Sequence, residues 1–268
     1  MDTVRDHLWV WGHYEGSHND GWDLAGPSRA TPLEGAAYLG VPNLIMVRYR
    51  DLPAPPFDQY AIPLRALDRV VWSVVGASGA TGEEERAHVL DLASRAPNIT
   101  GVMMDDFFHR ADDGDGVGVL SPDDLRGLRG ELRSGGRDLD LWVVLYDHQL
   151  HLPVGEHLGL CDKVTYWTWE AHNLQHLERD FARAEELAPA AGKLLGCYMY
   201  DYGCKAPMPL ELMQRQCELG LRWLGEGRIE GMVFLASCIC DLELEAVEWT
   251  RQWVSEVGST ALQEARGT

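Results

Sequence analysis

The sequence predicts an α/β protein, a single (β/α)8 TIM barrel. Three observations carry this expectation: eight short apolar, β-branched runs are spread along the chain, helix-like segments lie between them, and carboxylates and aromatic rings gather just past the ends of the runs. The runs occupy 7–11, 44–47, 70–75, 100–104, 141–146, 163–167, 194–199 and 231–235. Most are apolar at successive rather than alternate positions, which suits parallel strands covered on both faces. A length of 268 residues also matches the about 250 that such a barrel typically takes.

The first run leads into Gly12-His13-Tyr14-Glu15-Gly16, which lacks the G-x-G-x-x-G spacing of a dinucleotide loop and so weighs against an open, doubly wound sheet. After the third run a helix is expected over 82–96. It begins with Glu83, Glu84 and Glu85, where the positive end of the helix dipole favours acids, continues through Val89, Leu90 and Leu92, and stops at Pro97. After the fourth run, Ser121 caps a helix whose first position is Pro122 and which ends near Gly135-Gly136. Further helices are expected over about 171–187, 209–224 and 242–257. The barrel is expected to fill 1–258 as one domain, with 259–268 a frayed tail.

Composition narrows the partners. Subtracting 42 acidic from 23 basic side chains gives a net charge of −19, so nucleic acids and anionic bilayers are repelled at long range and are not expected as partners. The first ten residues lack the pattern of a secretory signal, and no apolar run approaches the roughly 18–20 residues of a membrane span, so a cytoplasmic location is expected. Cys161, Cys197, Cys204, Cys217, Cys238 and Cys240 follow no zinc-site spacing and read as reduced thiols, mostly small core residues. No cofactor is expected, and the sequence does not fix the oligomeric state.

In a barrel of this kind the loops that follow the strands form one face, and functional groups collect there. The run ends carry His13, Tyr14 and Glu15; Arg48, Tyr49, Arg50 and Asp51; Asp105, Asp106 and His109; Asp147 and His148; Trp167, Trp169 and Glu170; Asp201 and Tyr202; then Ser237 and Asp241. Acids for proton transfer and cation stabilisation, flat rings to stack on pyranose faces, and hydrogen bonders for hydroxyls are the requirements of a sugar site. Asp105-Asp106 is the sharpest element: two carboxylates this close repel, which raises one pKa and leaves a proton to donate. The plain alternative is that one Asp caps a turn and the other is solvated. Asp105, Asp106, Glu170 and Asp201 are the expected catalytic residues. His13, Glu15, Arg48, Asp147, His148, Trp167, Trp169 and Tyr202 are the expected substrate contacts, with core, turn or ion-pair roles as the ordinary alternatives.

With these residues in view the chain resembles barrel glycoside hydrolases, and more loosely the O-GlcNAcase-type β-N-acetylhexosaminidases. The matching places are Asp105-Asp106, Trp167-Thr168 and Tyr200-Asp201-Tyr202, although Trp169 stands where that family has Gly and the family's later Asn-rich signature is missing. The resemblance implies that Asp105 orients and polarises a substrate acetamido group and that Asp106 is the general acid/base. A plainer arrangement pairs Asp105 or Asp106 with Glu170 or Asp201 as acid and nucleophile, their separation deciding retention or inversion. The expected function is therefore hydrolysis of a small-molecule or oligosaccharide glycoside by carboxylate catalysis. The alternatives are a sugar isomerase, aldolase or lyase using Mg2+ or Mn2+ among Asp106, Asp147, His148, Glu170 and Asp201, and a carbohydrate-binding barrel without catalysis.

Overall fold

The computed structural model describes residues 2–109, 117–134 and 136–262. Eight parallel strands close into the expected barrel: β1 (Leu8–Gly12), β2 (Asn43–Met46), β3 (Arg69–Val75), β4 (Ile99–Met104), β5 (Asp140–Tyr146), β6 (Lys163–Trp167), β7 (Gly192–Tyr198) and β8 (Gly231–Leu235). Each strand pairs with its neighbours in sequence, and β8 returns to β1 with Met232 opposite Leu8. Every expected run lies on a strand, with ends displaced by at most two residues. The largest displacement is in β7, which starts two residues early because Lys193 turns its ammonium onto the carbonyls of Ala188 and Ala191. The strand therefore tolerates a charge that apolar patterning alone would exclude.

Helices Glu83–Arg95, Pro122–Ser134, Leu210–Glu226 and Glu245–Val257 form where they were expected, and the segment 171–187 divides into a 3-10 stretch, Ala171–His176, and an α-helix, Leu177–Leu187. A helix after β1, Pro32–Leu39, escapes a search for apolar periodicity but carries its own start signal. Thr31 Oγ1 accepts from Glu34 N (3.3 Å) while the Glu34 carboxylate accepts from Thr31 N (2.9 Å), a reciprocal cap. After β2 and β5 the helix shrinks to single turns, Asp58–Ala61 and Gly155–Leu158.

Tryptophans fill the barrel. Trp9 meets Trp142 edge-on at 5.0 Å toward the N-terminal end, and Trp11 meets Trp167 at 5.4 Å toward the C-terminal end. Trp167 fits because β7 presents Gly196 to it: a Cβ there would overlap the indole ring. This upper layer is the floor of the C-terminal mouth. At the opposite mouth, the Arg69 guanidinium lies over Trp9 (4.7 Å) and donates to Asn43 Oδ1 (3.0 Å), and Lys163 pairs with Glu230.

The segment expected to fray from 259 is tied down as far as 262. Ala261 bridges Thr3, and Leu262 N donates to Asp2 O at 3.0 Å; residues 263–268 lie outside the described residues. Cys161, Cys197, Cys217, Cys238 and Cys240 are buried thiols, and Cys204 is exposed. Among the described residues no helix is long and apolar enough to cross a membrane.

Candidate active site

Strict alternation along a strand would send two adjacent side chains to opposite faces. Asp105 still belongs to the sheet, since its N donates to Val75 O at 2.9 Å and its side chain is buried at the barrel mouth. Asp106 escapes the alternation by a left-handed backbone, φ +44°, a region that Asp tolerates better than most residues. The two carboxylates thus reach one cavity. Asp106 is fixed there at both oxygens: Oδ2 accepts from Ser78 N (2.7 Å) and Oδ1 from the Tyr146 hydroxyl (2.8 Å). Asp105 Oδ1 accepts from Asp106 N at 2.9 Å.

Burial and the neighbouring Asp106 charge push the Asp105 carboxyl well above the ordinary carboxylate range. No Lys or Arg side chain lines the cavity to counter this, among the described residues. The two histidines on its wall supply no cation either. Burial brings His13 down to about 4, and it holds His18 well below its usual value with help from His13 and Arg50. Both His13 nitrogens are already engaged: Nε2 accepts from Trp11 Nε1 (3.0 Å), so Nδ1 carries the proton and donates to Val47 O (3.1 Å).

The cavity measures about 170 Å3. Its wall is a continuous belt of rings: Tyr146 against Trp169 (5.7 Å), Trp169 against Tyr198 (6.0 Å), Tyr198 against Tyr202 (5.6 Å), and Tyr202 against Trp22 (5.0 Å) and His18 (5.0 Å). Edge-to-face contacts of this sort fix ring positions, so the wall is preformed. Trp22 Nε1 is buried without a hydrogen-bond partner.

Of the expected site residues, Asp105, Asp106, His13, Trp167, Trp169 and Tyr202 come together at this cavity. His13 does so as a fully bonded wall residue and Trp167 as floor. The other six lie elsewhere. Glu170 faces His172 (3.4 Å) on the surface, and Asp201 accepts from Cys204 N (3.0 Å) within a short ribbon, Tyr200–Asp201 paired with Ala206–Pro207. Asp147 ties Trp169 N (3.2 Å) to Asn173 Nδ2 (3.1 Å) and so positions the Trp169 loop from behind. His148 stacks on the outer side of Tyr146, centroids 5.2 Å apart. Glu15 is exposed, and Arg48 pairs with Glu85 beside a neighbouring cavity. Glu170 and Asp201 thus do not line the cavity that holds the Asp pair. The five groups considered for a divalent ion are likewise dispersed, and among the described residues no three His, Cys, Asp or Glu side chains converge.

Tyr146, Tyr198, His18 and Trp22 were not anticipated. The two tyrosines are the last residues of β5 and β7, so the signal that marks them is the strand end itself rather than the loop beyond it. His18 and Trp22 come from the irregular loop after β1, where no periodicity marks them.

No protein-family model and no curated protein sequence matches the chain. Solved structures do resemble it in fold. A candidate alpha-L-fucosidase from Bacteroides thetaiotaomicron superposes with a TM-score of 0.59 at 10% identity, covering 96% of this chain and 95% of that one. The GH99 endo-alpha-mannosidase from Bacteroides thetaiotaomicron gives 0.55 at 11% identity, covering 99% and 100%. A GH113 beta-1,4-mannanase gives 0.54 at 10%, covering 95% and 99%. At such identities the likeness is one of fold.

Proposed function

We propose that the protein is a glycoside hydrolase whose acid chemistry resides in Asp105 and Asp106. The observation that carries this reading is the carboxylate pair without a countercharge at an aromatic mouth. A site without cations that holds a fixed carboxylate beside a proton donor favours a substrate that becomes positive as it reacts, as a sugar does on the way to an oxocarbenium ion. Barrel glycosidases among the fold relatives agree with the reading.

Asp105, with its pKa raised by burial, is the proton donor to the leaving-group oxygen. Asp106, held at both oxygens, supplies the fixed negative charge next to the reacting centre. This order is the reverse of the one implied by the O-GlcNAcase-type resemblance. Trp169 and Tyr202 offer faces and edges to the ring, and Trp22 Nε1 donates to a hydroxyl. The cavity of about 170 Å3 is smaller than the roughly 300–1,000 Å3 of pockets for drug-sized ligands, so it accommodates a single sugar ring.

A panel of aryl glycosides, including N-acetylated ones, tests the reading. Turnover of at least one glycone is expected. Asp105→Asn should lose about 10^2–10^4 in kcat/KM on glycosides with poor leaving groups and far less on 2,4-dinitrophenyl glycosides, which need no proton. Equal losses on both would remove Asp105 as the donor.

A further inference from the structure

A second cavity, about 390 Å3, adjoins the first and shares Tyr49, Ala77 and Ser78 with it. One residue of the shared strip, Ser78, donates its backbone N–H to Asp106, so the second cavity lies one residue away from the acid pair. Unlike the first, this one is walled by charge: Arg48, Arg50, Asp51 and Glu85. Glu85 is only 7% exposed; one carboxylate oxygen pairs with Arg48, and the other, Oε1, has no hydrogen-bond partner. Arg50 projects from a left-handed backbone (φ +51°) over the Tyr49 ring, 5.3 Å from its centroid. Its nearest carboxylate, on the exposed Asp20, is 3.8 Å away, which leaves guanidinium donors open. Two cations and two anions balance here, so the cavity has donors and an acceptor without a preference for either sign of charge.

We infer that this second cavity receives the leaving group, and that the leaving group is a neutral, hydroxylated unit such as a second sugar. It donates to Glu85 and accepts from Arg50, while the bond to be cleaved lies over the strip between the cavities. The inference rests on the hydrolase reading and gives the substrate a direction: glycone among the rings, leaving group among the charges. An apolar leaving group would strand the Glu85 and Arg50 groups without partners, which disfavours it.

The test is binding, measured by saturation-transfer NMR titration on Asp105→Asn protein to prevent turnover. Two probe sets are used: methyl glycosides of glucose, galactose, mannose, fucose and N-acetylglucosamine, and disaccharides carrying the same glycones. Glu85→Gln and Arg50→Ala should each weaken disaccharide binding at least tenfold relative to the matching methyl glycoside. Ala80→Phe, at an exposed position on the cavity wall, should do the same by filling the space without disturbing the buried Arg48–Glu85 pair. Disaccharide and methyl glycoside affinities that fall together, or not at all, in Arg50→Ala and Ala80→Phe would overturn the subsite and leave the hydrolase reading standing. No binding by either set would overturn both.

Discussion

The two mouths of the barrel are built on the same plan, a pair of tryptophans in edge contact with ionisable groups above them, yet they treat charge in opposite ways. At the N-terminal mouth the two cations have polar partners: Arg69 donates to Asn43 and the Asp6 carbonyl, and Lys163 pairs with Glu230. Asp140 is pushed up by burial there, but Lys163 opposes the shift. At the C-terminal mouth Asp105 and Asp106 stand side by side, and the donors that reach them are a tyrosine hydroxyl and backbone amides. Such a pair is held in place by the surrounding fold, and it marks the C-terminal mouth as the candidate site.

The contrast is most easily broken at Asp106. Asp106→Asn keeps a side chain that tolerates the left-handed backbone and removes the charge; turnover of the glycoside selected from the panel should fall by about 10^2–10^4. Activity close to wild type would make the acid pair structural, like the ion pairs at the other mouth.

Gly196→Ala tests the floor between the two ends. A methyl group directed into the Trp167 ring should cost about 1–3 kcal/mol or more, read as a lowered urea midpoint, with turnover falling as the floor tilts. An unchanged midpoint would mean that Trp167 can move aside freely.

Stability should depend on pH at the C-terminal mouth through Asp105. Its folded pKa is raised above that of the unfolded chain, so its contribution is complete below the ordinary carboxylate range and is lost as pH rises through the folded value. Between about pH 5 and about pH 8 the wild type should lose stability that Asp105→Asn retains, by at least about 1 kcal/mol, read from urea unfolding at the two pH values. Parallel curves for the two proteins would show that the carboxyl is not held protonated.

The smallest effect is expected at the N-terminal mouth. Glu230 is half exposed, so Glu230→Gln should change stability by about 0–1 kcal/mol and leave turnover unaltered. A larger loss of activity there would show that the two mouths are coupled through the tryptophan layers.

The fold was legible in the sequence because parallel barrel strands are buried on both faces and announce themselves as unbroken apolar runs. The acid pair was legible for the opposite reason, since two aspartates interrupt such a run abruptly. The rest of the cavity wall was not. Glu170, Asp201 and Asp147 occupy strand ends like Asp105, but an aspartate at a strand end serves equally well to cap a turn, and only the backbone torsions decide which. Trp22 and His18 are set by a loop whose course depends on contacts with Tyr200 and Tyr202, residues 178 and 184 positions away.

The mirror-image torsion at Asp106 ties chemistry to chain direction. Replacing this residue by alanine would change two things together, the missing acid and a backbone reluctant to bend that way, so a dead alanine variant would not tell reactivity from misfolding. Asparagine separates them. On the hydrolase reading the same coupling limits which side chains can ever occupy the position: a functional replacement would be acidic and also at ease with a positive φ, and among the common amino acids aspartate alone combines both.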